Sequence, residues 1–366
     1  MNPRWLLRRH ACIVSHWQDG ELIFHNYATG VRISAPPLAA EILDFFDGWR
    51  SEDALLGHLS HYTPASLRSA VAALERHTFL MRADGAVDRQ SQLFDTWASW
   101  NPAAGFFHMS TKRVRWADPD ETTRRLRRKA AQTPLPSPVK RYPRARRVEL
   151  PAVDARGEFP QVLLARRTWR GFSQAPLTLD ELSTLLGLTW RIQGWRDVPG
   201  LGRLPLKTSP SGGARHPLEA YLWVRRVTGL RSGLYHYASD CHLLERLQAP
   251  TTSRRIVSYL PTQSWFGSAP LLVLMTAVFP RVQWKYEIAR AYRVVLAEAG
   301  HVCQTFCLTA TWLGLAPFCT MALADARIER DLRIDGVTES VLYAAGVGRR
   351  PRDRALWPAV RPPVRS

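Results

Sequence analysis

The most apolar stretch of the chain, Ala269 to Phe279, is of strand length and is bracketed by Pro270 and Pro280. It is too short to cross a membrane as a helix. Its aliphatic and β-branched content instead makes Pro270 to Ala277 a strand buried at the centre of a sheet. Around it, from about residue 160 to 348, helix and strand patterns follow one another. A helix is expected over Phe159 to Arg167. A second, Leu179 to Leu188, opens at the capping signature Thr178-Leu-Asp-Glu181. Leu218 to Val227 and Gly233 to Tyr237 have the aromatic and β-branched content of strands. A long helix is expected from about Tyr286 to Leu313, and a strand over Ser340 to Gly346 closes the unit.

A chain of 366 residues exceeds one small core and suggests two globular units or one unit with a substantial extension. Residues 1–92 read as a small winged-helix-like unit. Alternation through Leu22–Tyr27 and Val31–Ile33 predicts a hairpin turning at Thr29-Gly30. Three helical patterns follow, the second capped by Ser51 and the third by Thr63 with Pro64 at its first position. The third offers Arg68, Glu75, Arg76 and His77 as its polar reach, a poor set for reading bases, which favours peptide docking or scaffolding over DNA binding. Residues 93–150 are an Arg/Pro-rich connector whose prolines suggest an extended strap. Residues 151–350 read as a second unit of regular helix and strand patterns, and 351–366 as a flexible tail.

A net charge of +19 attracts polyanions without choosing among them. Cys12, Cys241, Cys303, Cys307 and Cys319 are odd in number and lack a Cys-x-x-Cys pair, so neither a disulfide framework nor a metal site is expected. Cys303 and Cys307, one helical turn apart, read as small apolar residues of a buried face. The basic N-terminus leads into no apolar segment, and the protein is expected to be cytoplasmic with no membrane partner.

Four segments bear on chemistry. Arg166-Arg167-Thr168-Trp169-Arg170 gathers guanidinium groups that suit a phosphorylated cofactor, although such a run is commonly a solvated face. In Ser209-Pro210-Ser211-Gly212-Gly213-Ala214-Arg215-His216-Pro217 the two glycines let backbone amides approach a flat ligand. Trp284-Lys285-Tyr286 places an amine between aromatic rings. The long helix and its exit supply Gln304, Gly314, Leu315 and, further on, Arg349.

Together these motifs, with Trp97–His108 and Gly233-Leu-Tyr235-His-Tyr237, resemble the nitroreductase superfamily over about residues 100 to 348. Within it they are most similar to SagB/ThcOx-type dehydrogenases, which oxidise thiazolines and oxazolines in ribosomal peptides. The resemblance implies an α+β, nitroreductase-like FMN-binding fold behind the winged-helix-like unit. It implies Arg166, Arg167, Thr168, Arg170 and Arg349 at the FMN phosphate and ring edge, and Ser211, Gly212 and Gly213 along the isoalloxazine. Gly314 and Leu315 would lie beneath the ring, with Gln304 facing the cofactor. Lys285 and Tyr286 would be catalytic: a desolvated lysine can remove the azoline Cα proton, and the tyrosine can relay it or orient the ring nitrogen. A homodimer, a peptide substrate and a cyclodehydratase complex are the implied partners, with nucleic acid disfavoured. Two other functions fit less of the sequence: an NAD(P)H-dependent nitroreductase of small aromatics, and a winged-helix DNA-binding regulator carrying a flavin domain.

Overall fold

The computed structural model of the protein describes residues 6–83, 89–112, 116–133, 137–140, 144, 150–151, 155–200, 202–248 and 252–353. The chain begins with β1 (Leu6–Arg9), β2 (Ile13–Gln18), β3 (Glu21–Asn26) and β4 (Val31–Ser34). It continues through α1 (Pro37–Phe45), β5 (Arg50–Ser51), α2 (Glu52–His58), α3 (Pro64–Arg76) and β6 (Leu80–Arg82). The expected hairpin is β3–β4, with Gly30 at φ +77° in its turn. Ser51 accepts from the Ala54 N–H and Thr63 from the Ser66 N–H, so both caps are where the sequence puts them. Ile42, Leu55, Leu67, Val71, Leu74 and Phe79 close one core under the three helices.

This winged-helix-like unit carries more sheet than expected. β2 extends the hairpin to a meander, and β1 pairs between β5 and β6. Strands as short as β1, β5 and β6 show too little alternation to be read. The polar side chains of α3 are partly committed: Glu75 takes two bonds from Arg82 at 2.6 Å, and Arg68 lies 3.6 Å from Glu52.

Residues 93–150 are not a simple extended strap. They contain part of α4 (Arg89–Asp95), all of α5 (Ala103–Lys112) and α6 (Pro119–Gln132). Proline opens α6 rather than breaking it: Pro119 takes the first turn, Asp118 caps it, and the basic run Arg124–Lys129 contains no proline. Pro134, Pro136 and Pro143 lie outside the described residues. Phe94, Trp97 and Trp100 are buried against Tyr27, Phe279 and Tyr292, which fastens the N-terminal unit to the main core.

The remaining elements are α7 (Glu158–Ala165), α8 (Leu179–Thr189), β7 (Gly194–Val198), β8 (Gly202–Leu206), β9 (Leu218–Val224), β10 (Gly233–Ala238) and β11 (Leu243–Leu247). After them come α9 (Ser253–Val257), β12 (Leu271–Val278), α10 (Pro280–Gln283), α11 (Ala291–Trp312), β13 (Leu315–Thr320), α12 (Asp325–Leu332) and β14 (Glu339–Arg349). Six strands form one sheet in the order β11-β10-β9-β12-β14-β13, with every pairing antiparallel. The architecture is therefore α+β. The apolar stretch that opened the sequence reading is the central β12. Its Leu271, Val273, Met275 and Ala277 face the core beneath α8 and α11, while Leu272 and Leu274 face the core beneath α9 and α12. Each of the leucine, valine and methionine side chains contributes about 1.5–3 kcal/mol on burial.

Several boundaries move. The long helix starts at Ala291 rather than Tyr286, because residues 286–290 form a turn in which the Tyr286 carbonyl accepts from Trp100 Nε1 at 2.8 Å. α7 ends at Ala165, before Arg166, and β14 runs on to Arg349. The capping box of α8 is present, Thr178 and Glu181 exchanging bonds at 3.1 and 2.8 Å. Among the described residues no helix is long and apolar enough to cross a membrane. Residues 354–366, most of the expected tail, lie outside the described residues.

Gly346, in β14, has no room for a side chain: a Cβ there would run into the Phe318 ring and lie 2.9 Å from the Leu271 carbonyl oxygen. Gly346→Ala should therefore lower stability by about 1–3 kcal/mol through overpacking. Thermal unfolding of the variant measures this, and an unchanged midpoint would contradict the packing described.

Candidate functional site

The predicted residues gather in two groups at different levels of α11. The first surrounds the turn Ser211-Gly212-Gly213. Gly213 has φ +64°, and a Cβ on it would lie 2.7 Å from Lys285 Cδ, Lys285 Nζ and the Tyr286 hydroxyl. A Cβ on Gly212 would collide with Val294 of α11. Only glycine allows this approach, so the turn and the Lys285-Tyr286 pair are built against each other. Arg215 closes the turn, donating to the Gly213 carbonyl at 3.3 Å and stacking over Trp284 at 5.1 Å.

Lys285 follows the short helix α10, where a positive charge agrees with the helix dipole. It is also exposed in the single chain, so the desolvation expected of it is not supplied by these residues alone.

Beneath the turn lies a buried polar network that the sequence reading missed. The Ser211 hydroxyl accepts from the His216 N–H at 2.8 Å, and His216 Nδ1 is 3.8 Å from Glu298 of α11. Burial pushes His216 down to about 4, with nearby Lys207 adding to the effect. Burial likewise lowers Lys207. The Arg281 guanidinium donates to the His216 carbonyl and pairs with Glu219, which also receives His236 at 3.0 Å. A signal for Glu298 was available: it falls between Val295 and Val302 on the buried stripe of α11, where a carboxylate is anomalous.

The second group lies towards the C-terminal end of α11. Trp169 N–H donates to the Pro317 carbonyl at 2.9 Å and pins the arginine segment along the edge of β13. Arg167 donates to the Leu164 and Arg166 carbonyls, and Arg170 reaches over Trp265 at 5.9 Å. Arg166, Arg167 and Arg170 have no carboxylate partner among the described residues, and Thr168 is half-buried between them. Gly314, at φ +72°, ends α11, and Leu315 is fully buried in β13. The positive φ of Gly314 is thus accounted for by helix termination. Gln304 is exposed on the outer face of α11.

Arg349 does not face an open site. Its two terminal nitrogens grip Glu181 at 2.6 and 2.8 Å, and its Nε donates to the Pro176 carbonyl. The next residue, Arg350, lies over Trp169 at 5.8 Å and beside the Leu315 carbonyl, with no carboxylate partner among the described residues. The sequence reading named Arg349 alone, and the Glu181 pairing is what separates the two.

About nine residues of α11, roughly 13 Å of rise, separate Glu298 of the first group from Cys307, which feels the charge of Arg166 in the second. The two groups are therefore separate along the helix.

Residues 163–349 match the model of the nitroreductase family. The chain belongs to that family, whose members generally bind a flavin. It is similar to the nitroreductase homologue MJ1384 of Methanocaldococcus jannaschii, 33% identical over 203 residues, which span 56% of this chain and 96% of that one. It is also similar to the trifolitoxin-processing protein TfxB of Rhizobium leguminosarum bv. trifolii, 27% identical over 310 residues, or 80% of this chain and 82% of that protein. Its fold is like that of a chain in the E. coli microcin synthetase McbBCD complex with truncated pro-MccB17 bound, at TM-score 0.51 and 19% identity, covering 70% of this chain and 97% of that one. These similarities agree with the SagB-type resemblance of the motifs, and the one to TfxB extends beyond the matched family region.

Glu298 gives this geometry a pH signature. Burial pushes its carboxyl up to about 7, against a hydrogen bond from Ser211 and the charge of Lys207. The folded state therefore holds this proton where the unfolded chain releases it. The associated stability is complete below the ordinary carboxyl range and is lost as pH rises through 7. Glu298→Gln should gain stability relative to the native protein between about pH 5 and 8. Urea unfolding across that range tests it, and a constant difference would refute the assignment.

Proposed function

We propose that the protein is an FMN-dependent dehydrogenase that aromatises azoline rings, thiazoline to thiazole or oxazoline to oxazole, in a ribosomally made peptide. The observation that carries this reading is the seating of Lys285 and Tyr286 against the Gly212-Gly213 turn. The similarity to a trifolitoxin-processing protein supports a peptide substrate, as does the fold shared with a microcin synthetase component.

The residues present fit FMN. Three arginines without carboxylate partners suit its phosphate, so Arg166, Arg167 and Arg170 would hold it with Thr168, and Arg350 in place of Arg349. The Ser211, Gly212 and Gly213 backbone would line the ring. FMN, when bound, supplies the acceptor for a hydride. Lys285 takes the Cα proton of the azoline at Nζ, and the Tyr286 hydroxyl orients the ring nitrogen. A groove of about 420 Å³, lined in part by Phe107, Ala289, Arg290 and Arg293, lies on the chain that follows this pair and gives a peptide somewhere to run.

A homodimer completes the site. The outer face of α11 shows Val294, Ala297, Gly300, Gln304 and Trp312, and an apolar groove of about 380 Å³ runs beside it under Phe159 and Leu188. A two-fold contact along that helix would bring the glycine-turn half of one protomer to the arginine half of its partner. The substrate and the second copy would then exclude water from Lys285. A cyclodehydratase is the partner such a reaction implies, because it forms the azoline.

The purified protein should be yellow and release FMN on denaturation, and Arg166→Ala should retain less of it. A preparation that stays colourless in excess FMN would end this reading. Lys285→Ala should keep its colour and lose turnover by about 10²–10⁴-fold. Unchanged turnover would remove Lys285 from the mechanism. The similarity to MJ1384 keeps a second reading in view, an NAD(P)H-dependent nitroreductase. Stopped-flow bleaching of the flavin decides between them: fast reduction by an azoline peptide and slow reduction by NADPH favours the proposal, and the reverse order favours the alternative.

A further inference from the structure

Three of the five cysteines meet at the junction of α11 and β13. Cys303 and Cys307, buried on one face of α11, come together with Cys319 of β13, and their sulfurs all lie within 4.8 Å of one another. Cys319 is the most accessible of the three. The Tyr343 hydroxyl reaches its sulfur at 3.8 Å. No fourth histidine, cysteine or carboxylate joins the group among the described residues, whereas a structural zinc site takes four ligands. What the cluster does offer is a partly accessible thiol with two others in reach, the arrangement of a redox-sensitive cysteine beside a resolving one.

We propose that Cys319 is a peroxide-sensitive thiol that closes a disulfide with Cys303 or Cys307, covalently tying α11 to β13 next to Arg166. The oxidant is hydrogen peroxide. The Cys319 thiolate attacks one peroxide oxygen, the O–O bond breaks, and water leaves after taking up a proton, so the sulfur becomes a sulfenic acid. The thiol of Cys303 or Cys307 then attacks that sulfur, the S–O bond breaks, and a second water leaves with the disulfide formed. Two thiols lose two electrons and two protons, and one peroxide becomes two waters. An S–S bond is about 2.0 Å, so sulfurs that lie within 4.8 Å of one another must still approach to form it.

Electrostatics single out the same residue. The neighbouring Cys303 and Cys307 thiols lower Cys319 against the opposing effect of burial, and the Tyr343 hydroxyl and the charge of Arg166 act in the same direction as the thiols. Cys303 is pushed up by its contacts with Cys307 and Cys319. Cys241 is exposed, yet its hydrogen bond with Asp240 pushes it up as well. Since the thiolate is the nucleophile, the half-buried Cys319 should react before the exposed Cys241.

The test is limited peroxide treatment of the full-length protein, alkylation of the remaining thiols and peptide mapping. The expected product has lost two hydrogens, links Cys319 to a cysteine of α11, and forms about tenfold faster than any change at Cys241. In Cys303→Ser/Cys307→Ser, Cys319 should persist as a sulfenic acid trapped by dimedone. Oxidation of Cys241 first would overturn the proposal, as would irreversible oxidation of Cys319 with Cys303 and Cys307 still free. One equivalent of zinc released from the untreated protein would also overturn it. The wild-type map decides the matter by itself if the double variant does not fold.

Discussion

The long helix α11 is the element on which the site depends. One side of it, from Ala291 to Ala310, is buried against the antiparallel sheet, so its position is fixed by the same apolar contacts that hold the core together. Everything of chemical interest is then referred to that fixed axis. The glycine turn meets it at Val294 and Glu298, the arginine segment lies near Cys307, and β13 leaves directly from its end. The two groups stand about nine residues apart along it, roughly 13 Å of rise.

Around the first group, polar burial substitutes for apolar packing. Glu298, His216 and Lys207 are taken out of water together, and Glu219 is held between His236 and Arg281. Such networks are costly when partly satisfied, and one oxygen of Glu298 has no direct partner in the chain. That arrangement lies directly beneath the glycine turn, where a ligand would be met. The second group has the opposite character, with arginines that lack carboxylate partners among the described residues set along the edge strand β13.

The N-terminal unit is tied to this framework by aromatic rings. Tyr27 stacks edge-on to Phe94, and Trp97 and Trp100 carry the contact to Phe279 and Tyr292. Trp100 also bonds the Tyr286 carbonyl, so a residue outside the matched family region helps set the loop that bears Lys285. The N-terminal unit is thus mechanically connected to the loop on which the proposed chemistry rests.

Local physics was readable without the structure. The central strand announced itself by composition, the caps at Ser51, Thr63 and Thr178 by side-chain chemistry, and the family by motifs at Arg166–Arg170, Ser209–Pro217 and Lys285-Tyr286. Each depends on residues close in sequence, where propensity and hydrogen bonding act alone. What only the folded chain decided were contacts between distant residues. Glu181 claims Arg349 and leaves Arg350 open, Trp100 delays the start of α11, and Cys319 joins the helix cysteines. No local pattern encodes such meetings, because packing of the whole chain, and not the neighbouring sequence, brings those atoms within a few ångströms of each other.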